Sequence, residues 1–397
     1  MKSFFEKSCA LFFVFGFLFI PITLNGKDWQ FQLTKFIFSR PIAIIERLFF
    51  PEALHKIDFS SDTIALNLLL LLLFLLAMIA LLLLNFLKIK TDNIITFSRV
   101  ISCYYIGLIL LSYGFDKVFK AQFYLPEPNI LYTPFGNLSK DILYWSTIGT
   151  SRNYSVSLGI IEVITAILIL INSARILGLL VSIGVLINII LINFGFDISV
   201  KTFSVFLLLA TLFSVYPNLK KLISFFVFQK NEKLIPTKQS IIINPFLKIW
   251  MKTIIVGLLF LQVLFPYFES QNFNDDLQSR PFLHGAYQVN QFIVNMDTLK
   301  TSDFPIQKIF IHRNNYIIFQ DKNNEMTDYH FEIDTLKKQL LLQDYKKNIN
   351  CVNYDFVKKD STFKLKFKNY YLVSRAINWR KLPALQNQTH YTIDQIQ

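Results

Sequence analysis

"GIIEVITAILILINSARILGLL", residues 159–180, decides the class of this chain. It is apolar from end to end except for Glu162 inside its first half and Arg175 between the halves. Two such halves, turned by a basic residue, read as a pair of membrane-spanning helices. A carboxylate among lipid tails is costly unless it is paired, so Glu162 must face a partner inside the bundle.

The neighbouring sequence repeats the pattern. Of 397 residues, 53% are hydrophobic and 17% charged, too apolar for an ordinary soluble domain. Runs of about 20 apolar residues match the thickness of a bilayer core. Seven spans are expected, near 9–25, 63–87, 98–115, 155–172, 175–194, 200–217 and 249–267. The first follows Lys2 and Lys7 but no A-x-A-like cleavage site follows it, so it reads as an uncleaved span and not a signal peptide. The second is polar only at its end asparagines and reads as an anchoring helix.

Charge gives an orientation. With the N-terminus in the cytoplasm, the inner segments hold 13 basic residues, from Lys2 to Lys252, against Glu6, Asp92 and Glu232. The outer loops between spans balance at 10 basic and 9 acidic residues. This is the positive-inside bias of an integral membrane protein, with the C-terminal part on the outer face. The formal net charge of +13 is therefore a topology signal and not a nucleic-acid footprint.

Cysteine and histidine narrow the chemistry. Cys9, Cys103 and Cys351 form no C-x-x-C pair, and a thiol–disulfide relay has no motif. His55, His284, His312, His330 and His390 all fall outside the spans, so the bundle has no pair of axial haem ligands. No flavin or metal motif is present either; His330 and Glu332 share a strand face without a third ligand at a recognisable spacing.

From Gly285 onward the period changes to two, the signature of strands. "KIFIHRNNYIIFQ" reads as a hairpin turning at Asn314-Asn315. In the segment "STFKLKFKN", Phe363, Leu365 and Phe367 face one way and Lys364, Lys366 and Lys368 the other. Seven or eight such strands make an all-β antiparallel barrel or sandwich. The expected fold is thus an α-helical membrane bundle followed by a small β domain.

Polar residues collect at the expected outer boundary. Asp116, Lys117 and Gln122 end the third span, Glu162 lies about 10 Å into the fourth at 1.5 Å per residue, and Asn193, Asp197 and Lys201 join the fifth and sixth. The candidate site is Lys117, Gln122, Glu162, Asn193, Asp197 and Lys201. Two readings stand side by side. Glu162 and a lysine form a pair that fixes helix register, or the cluster lines a pocket for the polar head of a lipid-soluble molecule such as a quinone. Small residues favour close packing here: Gly159 and Ala166 share a stripe with Glu162, and Ala174, Gly178 and Ser182 recur every four residues.

The stretch from Arg99 to about Lys221 resembles the DoxX-like family of four-helix membrane proteins. Arg99 with "YGFDKVFKAQF" is similar to that family's opening Arg and Gly-x-x-Lys, "SLGIIEVITAILILINSARILG" to its Gly-x-x-Glu helix, and "NIILINFGFDISVK" to its closing Asp-x-x-x-Lys. The resemblance implies a four-helix core with polar positions at Arg99, Lys117, Glu162, Asp197 and Lys201. It divides the chain into a two-span anchor with an outer loop (1–96), the core (97–222), a cytoplasmic loop with the last span (223–267) and an outer β domain (284–397). It also implies a membrane subunit of a redox complex, non-catalytic or quinone-binding, with a membrane or periplasmic protein partner. The other expectations are an envelope scaffold whose β domain binds a protein, and, third, a small-molecule transporter. No nucleophile–base pair or cofactor motif marks the chain as an enzyme on its own.

Overall fold

Helices occupy the chain up to Ser270 and strands begin at Gly285, where the sequence period changes. The structure, a computed structural model, describes residues 2–22, 28–51, 57–235, 245–295 and 297–386. His55, Lys238, His390 and the end of the first expected span lie outside the described residues. In chain order the helices are α1 (Lys2–Phe19), α2 (Trp29–Phe49), α3 (Ile64–Phe86), α4 (Ile94–Val118), α5 (Pro128–Leu131), α6 (Lys140–Thr150), α7 (Arg152–Leu170), α8 (Arg175–Gly195), α9 (Lys201–Val215), α10 (Leu219–Phe228) and α11 (Pro245–Ser270). The chain divides into two units, one of Met1–Gln122 with Val156–Phe273 and one of Phe123–Ser155 with Asn274–Gln397.

Among the described residues of the helical unit, six helices are long and apolar enough to cross a membrane: Ile64–Phe86, Ile94–Val118, Arg152–Leu170, Arg175–Gly195, Lys201–Phe228 and Ile249–Leu277. Each coincides with an expected span. The fifth passes through a 3-10 turn at Tyr216–Asn218, where Pro217 has no N–H for the helical ladder. The first expected span differs. It overlaps α1, whose 18 residues include Lys2, Glu6 and Lys7, and α1 is not one of the six.

The hairpin of residues 159–180 forms as α7 and α8, and its basic turn has a specific task. Arg175, buried, donates from Nε to the carbonyl of Ile169 at 2.9 Å, one of the last-turn acceptors that a helix leaves unpaired. Arg99 does the same for α9, donating to Phe213 O at 3.2 Å. Gly178 lets α8 lie against α7: a Cβ there would sit 2.5 Å from the backbone nitrogen of Ile169.

Helix α2 occupies a segment expected to be an outer loop. Gln30, Thr34, Phe38, Ile42 and Glu46 form its buried stripe, a four-residue repeat that follows one face of a helix. The stripe secures the end of α1: Gln30 Nε2 donates to Leu18 O at 2.9 Å and Thr34 Oγ1 to Phe19 O at 2.8 Å.

The second unit carries strands β1 (Gly285–Val294), β2 (Asp297–Thr298), β3 (Lys308–Ile311), β4 (Tyr316–Gln320), β5 (Met326–Asp334), β6 (Gln339–Gln343), β7 (Ile349–Val357), β8 (Thr362–Lys366) and β9 (Tyr370–Ile377). Each of β3 to β8 pairs antiparallel with the next, β1 pairs with β3, and β9 returns to pair with β1. Eight strands therefore close into a barrel, with β2 a two-residue addition to β1. Closure settles the expectation in favour of a barrel over a sandwich. A register shift between Val289 and Gln291 bends β1, as bulges do at barrel corners.

Alternation places Tyr287, Ile309, Ile317, Phe331, Leu340, Phe363 and Leu365 in the barrel core. Lys366 points outward and exposed, as its period requires. The hairpin turns where expected, with Asn315 at φ 57°, a left-handed conformation that Asn tolerates. Outward-facing Phe310 and Ile318 are nevertheless buried, because Leu125, Leu131 and Tyr132 of the Phe123–Ser155 segment and Trp379 cover them.

Candidate functional site

Helix α4 ends with Tyr113, Gly114, Asp116 and Lys117, and successive residues there serve different neighbours. Lys117 turns to α7 and donates from Nζ to Glu162 Oε2 at 2.8 Å, with both side chains less than 10% exposed. Lys117 also reaches the carbonyl of Tyr113 at 3.3 Å. Two glycines make this approach possible. A Cβ on Gly159 would lie 2.5 Å from Gly114 O and 2.8 Å from Lys117 Cβ, and one on Gly114 would lie 3.0 Å from Gly159 O. The backbones of α4 and α7 therefore touch one turn away from the ion pair.

Asp116, one residue earlier, takes another direction. The hydroxyl of Tyr267 on α11 donates to Asp116 Oδ1. Both residues line a cavity of about 1220 Å³ in the helical unit, with Tyr113, Asp28, Lys35 and Asp58 also on its wall. The rest of the wall is largely apolar, including Phe31, Leu66, Phe203 and Val263. A large apolar chamber with a few polar groups at one side is the usual form of a small-molecule site.

The six residues singled out from the sequence fall into distinct sets of contacts. Lys117 and Glu162 pair with each other. Lys201 pairs with Asp197 at 2.7 Å and lies 3.9 Å from Asp62. Asp62 also accepts the backbone N–H groups of Lys201 and Thr202, each at 2.8 Å, and so caps the start of α9. Asn193 donates to Ser204 Oγ at 3.2 Å. Gln122 donates its backbone N–H to Asp116 O at 2.9 Å, while its side-chain carbonyl is buried without a hydrogen-bond partner among the described residues. None of the six lines the cavity.

Its polar wall comes from residues that the sequence singled out less sharply. Asp116 was visible beside Lys117, and one 100° step along the helix separates the buried ion pair from a cavity wall. Tyr267 gave no signal beyond its place at the end of a span. Asp28 and Lys35 sit in or beside α2, where no helix was expected.

A second charged group belongs to the barrel unit. Glu127, buried, accepts from His284 Nε2 at 2.8 Å and from Arg313 Nε at 2.5 Å. Arg313 reaches on to Asp275 at 2.6 Å, Arg280 meets the same carboxylate at 3.0 Å, and the Arg313 guanidinium lies 3.9 Å from the centre of the Tyr124 ring. Burial alone would push the Glu127 carboxyl up, but the hydrogen bonds from His284 and Arg313 outweigh it and hold the group at about 2. Burial holds His312 below its ordinary value, and its Nδ1 accepts the N–H of Asn314 at 3.1 Å. This network fastens the Phe123–Ser155 segment to the barrel.

No family model matches the chain, and no solved structure matches it. A stretch of 114 residues is 30% identical to "Uncharacterized protein YwoB" of Bacillus subtilis (strain 168), covering 29% of this chain and 72% of that protein. With nearly three quarters of that smaller protein matched, the chain belongs to the same family as YwoB.

Proposed function

We propose that this is an inner-membrane protein whose helical unit binds the polar head of a lipid-soluble molecule such as a quinone. The observation that carries the reading is the cavity of about 1220 Å³ with Asp116 and Tyr267 on its wall. A carboxyl group hydrogen-bonded to a phenol can donate to or accept from a carbonyl or hydroxyl head, while Phe31, Leu66 and Phe203 suit a hydrocarbon tail. In this reading α4, α7, α8 and α9 form a DoxX-like four-helix core, and the Lys117–Glu162 pair sets the register of two of its helices.

The chain acts as a subunit and leaves electron transfer to a partner. We take α1 as an additional span, since Ser98 of α4 donates to its Ala10 carbonyl at 2.7 Å and its Phe17 ring lies 4.3 Å from that of Tyr105. In this reading the N-terminus is cytoplasmic and the barrel periplasmic, an orientation supported by seven spans and the positive-inside bias. A scaffold role is favoured by Leu341 and Ile349, exposed on neighbouring strands β6 and β7.

The test is native mass spectrometry of the full-length protein in mild detergent with its co-purifying lipids and quinones. Quinone is expected on the wild type and on Glu162→Gln, and is expected to be lost from Asp116→Asn and Tyr267→Phe. Equal occupancy in all four proteins, or none in the wild type, refutes the reading.

A further inference from the structure

Helix α2 presents faces of different chemistry. Its buried stripe holds α1 and packs on α3. Asp28, at its N-cap, with Phe31, Lys35 and Ser39, lines the cavity at three- and four-residue spacing. The opposite side carries Trp29, Phe36, Ile44 and Leu48, exposed to 55%, 86%, 60% and 71%. Helix α2 packs on α3, a candidate span that itself exposes Leu71, Leu75 and Ile79.

Two arginines interrupt this apolar face. Arg40 and Arg47 follow Phe36 and flank Ile44 at spacings of four and three, so all lie on one side of the helix. Both are exposed, and among the described residues neither has an ion-pair partner. Two turns of helix separate them by about 10 Å. A helix facing water does not display this row of aromatic and aliphatic side chains, and a helix crossing the hydrocarbon core does not carry Lys35, Arg40, Glu46 and Arg47 around a central Pro41. Exposed Trp, Phe and Leu with arginines among them match a helix lying in the plane of the membrane surface, its long basic side chains rising to the phosphates.

We propose that α2 is an in-plane interfacial helix that binds anionic phospholipid, its apolar face among the acyl chains and Arg40 and Arg47 on headgroup phosphates. The assignment stands on α2 alone and not on what the cavity holds. Each basic residue near an anionic surface strengthens lipid binding about fivefold, about thirtyfold for the two together.

The experiment uses the full-length protein in nanodiscs of phosphatidylcholine with or without phosphatidylglycerol. Native mass spectrometry counts retained lipids, and brominated phospholipids quench Trp29, whose signal is the difference from a Trp29→Phe variant. Wild type should retain phosphatidylglycerol over phosphatidylcholine by about thirtyfold and show strong Trp29 quenching. Arg40→Gln with Arg47→Gln should abolish the preference, and Arg40→Lys with Arg47→Lys should restore most of it. Absence of Trp29 quenching overturns the placement in lipid, as do cross-links between copies through this face. A preference unchanged by the double glutamine variant overturns the headgroup assignment.

Discussion

Replacing Glu127 with Gln keeps the shape of the side chain and removes its charge. A carboxyl with an ordinary value of 4.5 that titrates at about 2 in the fold is stabilised in its ionised form by about 3 kcal/mol. The side chain is only 4% exposed, so solvent screening does not erase this figure. The amide also leaves one neutral oxygen where His284 and Arg313 each had a carboxylate oxygen, so Arg313 keeps only Asp275 as a charged partner, and breaking a buried pair typically costs about 3–5 kcal/mol. The Phe123–Ser155 segment should then open from the barrel roughly a hundredfold more often. Hydrogen exchange of the full-length protein reads this directly at the Leu125 N–H, which donates to Asp276 Oδ1 at 2.7 Å, and at the Leu131 N–H, which donates to Glu127 O at 3.2 Å. Because the folded value lies below the ordinary one, the stabilisation is complete above about pH 4.5 and is lost as pH falls towards 2. Wild-type protection, corrected for intrinsic exchange, should decline across that window, and Glu127→Gln should already lack the corresponding part. Protection within threefold of wild type in the variant at neutral pH would sink the argument.

The remaining expectations concern the helical unit. Glu162→Gln leaves a buried Lys117 without its carboxylate and should lower stability in detergent by about 3 kcal/mol or more; adding Lys117→Met should recover most of the loss, measured by thermal unfolding. Gly159→Ala forces α4 and α7 apart and should cost about 1–3 kcal/mol, whereas Gly184→Ala, whose Cβ meets nothing within 4 Å, should be neutral in the same assay. Asp62→Ala removes the cap on α9 and should cost about 1 kcal/mol, visible as faster exchange at the Lys201 and Thr202 amides.

The parts of the fold legible in the sequence are those set by local pattern. The 159–180 hairpin follows from two apolar runs and one arginine, and the barrel strands follow from alternation. Lys117 could be matched to Glu162 because both lie on spans whose depth can be counted. Lys201 was an equal candidate on that count, but Asp62 arrives beside it from a loop whose position no local rule gives. Helix α2 was hidden because Lys35, Arg40, Pro41, Glu46 and Arg47 break the apolar run that marks a span, while its buried stripe contains the polar residues Gln30, Thr34 and Glu46. The Phe123–Ser155 segment lies between two spans in sequence, yet Glu127 bonds Arg313 across 186 positions, a pairing that periodicity cannot anticipate.

The joining of β1 to β9 has a consequence for how the chain is made. Non-local pairing is slow because the intervening chain must be closed before the contact rewards it. Gly285–Val294 leaves the ribosome long before Tyr370–Ile377, and until then both barrel margins expose unpaired N–H and C=O groups. The Phe123–Ser155 segment waits longer still, with Glu127 and Tyr124 synthesised well before Arg313. During biogenesis the helices can insert in order, while the barrel and its fastening remain an open sheet that another strand could invade. That interval, and not the finished structure, is where a chaperone would have an edge to hold.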